Sequence, residues 1–227
     1  MEVIDDFFRL LFPVTCASCG GILVKNERVI CLLCNYDLPR TNFHLDKDNP
    51  IAQIFWGRVR VENATALYFF NKGSRFRHLI HELKYNGRRN IGQELGRIFG
   101  YEIGKSDRYR QIDLVIPVPL HKKKQKKRGF NQSEYIARGI SEALSKPLDI
   151  TSIIRSVYSS TQTRKSRYER WLNVKGIFTV VNPQVLTGKH ILVVDDVITT
   201  GATLEACATE ILKVEGTKVS VAVLGVA

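Results

Sequence analysis

No apolar run in this sequence approaches the about eighteen residues that span a bilayer, so no membrane span is expected. The N-terminus, MEVIDDFFRLLFPV, lacks the positive charge of a secretory leader and carries Glu2, Asp5 and Asp6 instead. That pattern predicts a cytoplasmic protein. Internal repeats and low-complexity tracts are missing too, as is the G-x4-G-K-[ST] pattern of an ordinary nucleotide-triphosphatase P-loop. Acid is scarce: 22 Asp and Glu stand against 34 Lys and Arg, a net charge of +12. Such an excess favours anionic partners, whether nucleic acid, phosphorylated metabolites or an acidic membrane face; a plain basic surface is the alternative.

What is present suits one good-sized domain plus a small module. The chain has 227 residues, of which 44% are hydrophobic and 25% charged, enough for a core without covalent staples. Val3, Ile4, Phe7, Phe8, Leu10 and Leu11 fit one face of a short helix ended by Pro13, for packing or for a membrane surface.

Four of the five cysteines are clustered. Cys16 and Cys19 form one C-x2-C knuckle, Cys31 and Cys34 a second, with eleven residues between. Two knuckles can close a tetrahedral site of four sulfur ligands, which predicts a structural Zn2+ with no open position. Two disulfides are the competing reading, disfavoured by a reducing cytoplasm. Gly20 and Gly21 allow the tight turn after the first knuckle. His44 is a spare ligand candidate or a loop histidine, and Cys207 a small packing residue.

Residues 38–50, LPRTNFHLDKDNP, are polar and turn-rich and read as a linker, giving a module over 1–48 and a main domain over 49–227. Beyond them strands and helices alternate. ATALYFF, DLVIPVPL, KGIFTV, HILVV and KVSVAVLGV read as strands. SRFRHLIHELKYNGR reads as a helix capped by Ser74 and stopped at Gly87; NIGQELGRIFGYEIGK as a helix loosened by glycines; NQSEYIARGISEAL as one opened by Asn131; GATLEACATEILKVEG as the last. The alternation predicts an α/β fold around a mostly parallel sheet flanked by helices.

The stretch ILVVDDVITTGATLEA ends a buried strand on Asp195 and Asp196, where open α/β sheets bind ligands. Neighbouring strand residues face opposite ways, so both carboxylates reach one ligand only if the strand stops there; residues 197–201 are expected to be that turn. Paired carboxylates suit a vicinal diol or a magnesium ion. Gly201 permits close backbone approach, Thr199, Thr200 and Thr203 add hydroxyls, and a helix start supplies outward N–H groups for phosphate. Carboxylates for a diol beside a loop for a phosphate describe a ribose 5-phosphate pocket. Three phosphate hydrogen bonds at about 1.5 kcal/mol each give only about millimolar affinity, so other groups must hold the rest of the ligand.

VVDDVITTGAT resembles, without a mismatch, the phosphoribosyl pyrophosphate (PRPP) motif of type I phosphoribosyltransferases. The order of the four-cysteine module, LKYNGR, IPVPLHKKKQKKRGFNQSEYIARGI, QTRKSRYERWLNVKGIF and the PRPP motif is similar to the ComF (ComFC-type) competence family over nearly the whole chain. The resemblance implies a type I phosphoribosyltransferase fold carrying a small N-terminal zinc-binding module. It implies PRPP binding, with Mg2+, by Asp195 and Asp196 for the ribose and by Thr199, Thr200, Gly201, Ala202 and Thr203 for its 5-phosphate. It also implies a role in DNA uptake and natural transformation, with single-stranded DNA and DNA-uptake proteins as partners. The alternative it leaves open is an active Mg-dependent, amidophosphoribosyltransferase-like enzyme on an unknown acceptor. In that reading Asp195, Asp196, Arg164, Lys165 and Arg167 form the catalytic set, the last three in the position of the family's closing loop. The pyrophosphate loop of the family has its place at PVPLHKKK, without the usual glycine.

HKKKQKKRGF concentrates Lys122, Lys123, Lys124, Lys126, Lys127 and Arg128 on the expected ligand edge of the sheet. These cations can meet pyrophosphate in a dry site, or track a nucleic-acid backbone with Tyr168, Trp171 or Phe130 as stacking faces; a solvated charge run is the third reading. Arg170 belongs to the second basic cluster, RKSRYER.

Overall fold

The structure is a computed structural model and describes residues 12–71, 73–156 and 176–227. The expected N-terminal helix, and Arg164, Lys165, Arg167, Tyr168, Arg170 and Trp171, lie outside the described residues.

In chain order the elements are α1 (Leu32–Asp37), α2 (Pro50–Gln53), β1 (Ala64–Phe69), α3 (Arg75–Tyr85), α4 (Arg89–Gly104), β2 (Leu114–Pro117), α5 (Lys122–Arg128) and α6 (Gln132–Leu144). After these come β3 (Ile153–Arg155), β4 (Phe178–Val180), α7 (Pro183–Leu186), β5 (His190–Ile198), α8 (Ala202–Ile211) and β6 (Lys218–Val226). Strands β1, β6, β5 and β2 lie side by side in that order, each pair parallel, while β3 and β4 form a small antiparallel pair.

Strand alternation sorts the core into two layers. Ile191 and Val193 of β5 pack with Leu204, Cys207 and Ile211 of α8. Leu192 and Val194 pack with Leu79 and Leu83 of α3, Leu95 and Phe99 of α4, and Ile136 and Ile140 of α6. Helices therefore cover both faces, as a parallel sheet requires. The caps expected from sequence are in place: the Ser74 hydroxyl accepts from Arg77 N–H, and the Asn131 side chain accepts from Ser133 N–H.

The glycines of α4 do not loosen it. A Cβ on Gly96 would lie 2.1 Å from the Ile136 carbonyl oxygen, and one on Gly139 of α6 would lie 2.0 Å from that of Gln93. Their absence lets the two helix backbones meet. Gly139→Ala must force the helices apart, and overpacking of this kind costs about 3 kcal/mol. Thermal unfolding should drop by roughly 6–12 °C, read by circular dichroism.

The segment expected to link the two parts is docked on the sheet. Phe69 N–H donates to the Pro39 carbonyl and Thr41 N–H to that of Leu67, so residues 39–41 run along the free edge of β1. His44, in the 3-10 turn Phe43–Leu45, and Asn49 are buried. The Asn49 amide donates to the carbonyls of Phe43, Asp46 and Ala64, which holds the segment down despite its polar composition.

Candidate functional sites

The first site is the cysteine cluster. Cys31 is the N-cap of α1, its sulfur accepting from Cys34 N–H, so the cap itself aims two sulfurs at one point. The first knuckle closes through Gly20 N–H to the Cys16 carbonyl, with Gly20 at φ 76°; Gly21 has no such requirement. All four sulfurs lie within 4.8 Å of one another, and Cys19 Sγ is 3.9 Å from Cys31 Sγ. A tetrahedral zinc–thiolate site sets its sulfurs about 3.8 Å apart, whereas a disulfide needs about 2 Å. The donor set and spacing fit a metal such as zinc.

Backbone groups prepare the site for charge. Burial pushes the Cys16 thiol up, but the N–H groups of Cys31, Cys19 and Ser18 outweigh it and bring it down to about 7. Burial, with the neighbouring thiols Cys31, Cys19 and Cys16, pushes Cys34 up to about 12 against the Ser18 side chain. Four thiolates at this distance need a cation. Arg75 helps from α3, 3.5 Å from Cys34 Sγ and 3.0 Å from Asp37. His44 is not part of the cluster.

The second site is the C-terminal edge of the sheet. Strand β5 continues through Ile198, and Asp195 and Ile198 pair with Val223 and Val226 of β6. The expected turn over 197–201 is therefore shorter: Val197 and Ile198 remain in the strand, and only Thr199, Thr200 and Gly201 turn. On the other side, pairing with β2 stops at Pro117↔Val194, so the last residues of β5 stand free on that flank. This is the crevice in which open α/β sheets bind ligands.

Because the strand continues, the two aspartates face different neighbours. Asp195 Oδ1 accepts from the Ser133 hydroxyl at 2.7 Å and from Asp196 N–H at 2.9 Å. Asp196 is buried, and Lys84 Nζ of α3 lies 2.8 Å from its Oδ2 as an ion pair without good hydrogen-bond alignment. Burial first, and then the Asp196 charge, push the Asp195 carboxyl up to about 7 against the Ser133 hydroxyl, the Asp196 N–H and Lys84.

A raised carboxyl makes the folded protein hold a proton that the unfolded chain has released. Stability from this group is therefore lost as pH rises from about 4 to about 7. Asp195→Asn should raise the melting temperature at pH 8, by an amount on the order of 5 °C, and leave it unchanged at pH 4. Equal effects at both values would contradict the shift.

Asp195 and residues 197–204 line a shallow, open concavity of about 50 Å³. Gly201 sits at φ 75° as the N-cap of α8, and a Cβ there would lie 2.5 Å from Ile54 Cγ2. Only glycine fits this turn. No side chain caps α8, and the first intrahelical bond at this end is Glu205 N–H to the Gly201 carbonyl. The amides of the first turn thus face the concavity with the positive end of the helix dipole, an anion site. Arg58 pins the loop from below: Nη1 donates to the carbonyls of Ile54 and Thr200, each at 3.0 Å, and Nη2 pairs with Glu205.

A larger cavity of about 370 Å³ adjoins the exit of β2. Its walls include Pro119, Leu120, Asn131, Glu134, Ile154 and Arg155. Arg155 is half-buried, and burial lowers its pKa while the Asp195 charge raises it, so the cavity and Asp195 share an electrostatic field.

The structure brings Asp195 and residues 199–203 together around one concavity, whereas Asp196, expected to reach the same ligand, is buried against Lys84 and does not line it, because the strand continues past it. The lysine run forms α5, capped by His121 Nδ1 on Lys123 N–H and closed by Gly129 at φ 83°. It leaves β2 on the same edge as Asp195, and none of its side chains is buried. Phe130 is only 4% exposed and packs edge-to-face with Tyr135, so it offers no stacking face. Cys207 is buried against the sheet, as expected of a packing residue. Lys84, Ser133, Arg58 and Arg155 were not singled out from sequence. The motif LKYNGR contained Lys84, and the Asn131 cap fixes the start of the helix that presents Ser133; Arg58 left no local signal.

Residues 131–225 match the phosphoribosyl transferase domain family. The chain is 34% identical over 138 residues to DNA utilization protein YhgH of Escherichia coli O157:H7, covering 60% of each chain. It thus spans about three fifths of the length of that relative. It is 28% identical to competence protein ComFC of Bacillus subtilis (strain 168), over 90% of this chain and 82% of that one. Glutamine PRPP amidotransferase from B. subtilis, solved with ADP and GMP, is 22% identical over 63% of this chain and 30% of its own, with a TM-score of 0.43. No helix among the described residues is long and apolar enough to cross a membrane.

Proposed function

With a phosphoribosyl transferase domain and competence-protein homologues as premise, we propose that this chain is a cytoplasmic PRPP-binding protein of DNA uptake that also holds single-stranded DNA. One observation carries the PRPP reading. A carboxylate, Asp195, shares a concavity with an uncapped helix start entered through a left-handed glycine. The first suits a ribose hydroxyl and the second its 5-phosphate. Asp196 stays near by, neutralised by Lys84. Magnesium accompanies the ligand and offsets the pyrophosphate charge, which the β2 exit and α5 would face.

In this reading the zinc module is structural. Its sulfurs close on themselves, and it fixes the end of α3 through Arg75. The net charge of +12 supports an anionic polymer as second partner.

A second reading has its own observation. The cavity beside Asp195, with apolar walls and Asn131, Glu134 and Arg155, leaves room for an acceptor, as an active phosphoribosyltransferase requires. Attack there would break the bond between C1 of the ribose and pyrophosphate, with Asp195 positioning the sugar, Asp196 holding Lys84 behind it, and Arg164, Lys165 and Arg167 meeting the leaving group. Incubation with PRPP, Mg2+ and a panel of bases, ammonia and DNA separates the two readings. Tight PRPP binding without pyrophosphate release favours the binder. Release that needs one acceptor and disappears in Asp195→Asn favours the enzyme.

A further inference from the structure

Of the stacking faces read from the sequence, Phe130 is buried and Tyr168 and Trp171 lie outside the described residues; α3 carries a further one. On α3, Arg77, His81 and Tyr85 recur every four residues and share one face, and all three are exposed. Tyr85 is 67% exposed, and its ring centroid lies 4.9 Å from that of His81, the planes inclined by 45°. The Arg128 guanidinium, at the end of the lysine helix α5, sits 5.7 Å from the Tyr85 centroid. Arg88 and Arg89 follow just beyond, and Arg89 also stands over Phe130 and Tyr135.

The acids near by are engaged. Glu82 accepts from Asn86 at 2.7 Å and faces Arg88 at 3.9 Å, and Glu134 accepts from Arg138. The ridge therefore presents two rings inside a field of cations. From Arg77 to Tyr85 the helix rises about 12 Å, the span of a few nucleotides.

We propose that this ridge seats a single nucleic-acid strand, with bases stacked on Tyr85 and His81 and phosphates met by Arg77, Arg88 and Arg128. The proposal rests on the reading that the protein holds single-stranded DNA. Exposed rings select an unpaired strand, because a duplex keeps its base faces covered and an acidic peptide offers none.

Fluorescence anisotropy of a labelled oligo-dT of about twenty nucleotides, with the full chain, tests it. Tyr85→Leu should weaken binding roughly tenfold, and Tyr85→Phe should restore it. Arg77→Gln with Arg128→Gln should flatten the log–log salt slope by about 1.4, from a starting value of about −4. Because Arg77 and Tyr85 are exposed, the melting temperatures of Tyr85→Leu and Arg77→Gln should hold. If the wild type binds but Tyr85→Leu binds as tightly, the ridge is not the seat and the DNA-holding reading survives. Equal binding of a duplex of the same length overturns the stacking argument. If the wild type does not bind the oligonucleotide at all, the DNA-holding reading itself fails.

Discussion

Cys16→Ser should lower bound metal from about one ion per chain to near zero. Serine offers a hard, protonated oxygen where a soft metal needs a thiolate. The donors that favour the Cys16 thiolate, the N–H groups of Ser18 and Cys31, would be left pointing at a hydroxyl. The consequence spreads, because structural zinc sites supply about 10–16 kcal/mol of apparent binding free energy. The module itself contributes few large apolar side chains, chiefly Leu23, Val29, Ile30 and Leu38. Without the metal, residues 12–38 should open to protease while the parallel sheet stays folded. Elemental analysis and limited proteolysis read the two outcomes. Full metal content in the variant, or a Cys–Cys bond in protein purified under reducing conditions, would contradict the assignment.

Gly201→Ala should weaken binding of any phosphate-bearing ligand at the sheet edge by about a hundredfold or more. The added Cβ meets Ile54 Cγ2, and the residue must hold φ near 75°. Either the turn flattens or Ile54 moves, and Ile54 also presents the carbonyl that anchors Arg58. Both routes shift the first-turn amides of α8. Losing two phosphate hydrogen bonds of about 1.5 kcal/mol each corresponds to roughly that factor. Binding measured by calorimetry should fall while the melting temperature drops only by a few degrees. An unchanged affinity would place the phosphate elsewhere.

Local patterns carried most of the fold. Two-residue and 3.6-residue periods, the Ser74 and Asn131 caps and the knuckle spacing are each set by neighbours in sequence, and each appears as expected. What escaped depends on distant partners. Whether β5 stops at Asp195 is decided by β6, which goes on pairing to Val226, and not by the residues of β5. The α4 glycines look disruptive until α6 is laid against them. Residues 38–50 read as a linker because their composition is polar, yet one buried asparagine satisfies three carbonyls and holds them on β1. In the candidate site, Asp195 and the loop stood out because the motif is continuous. Lys84 and Arg58 reach it from α3 and from the segment after α2, and contacts across such separations leave no local trace.

The central claim is that Asp195 and the loop before α8 together bind PRPP. Titration calorimetry of the full chain with PRPP and Mg2+ at pH 8, where Asp195 is mostly ionised, tests it most directly. One PRPP per chain, with binding lost in both Asp195→Asn and Gly201→Ala, is the predicted result. A folded, metal-replete protein that shows no binding at millimolar PRPP would contradict it.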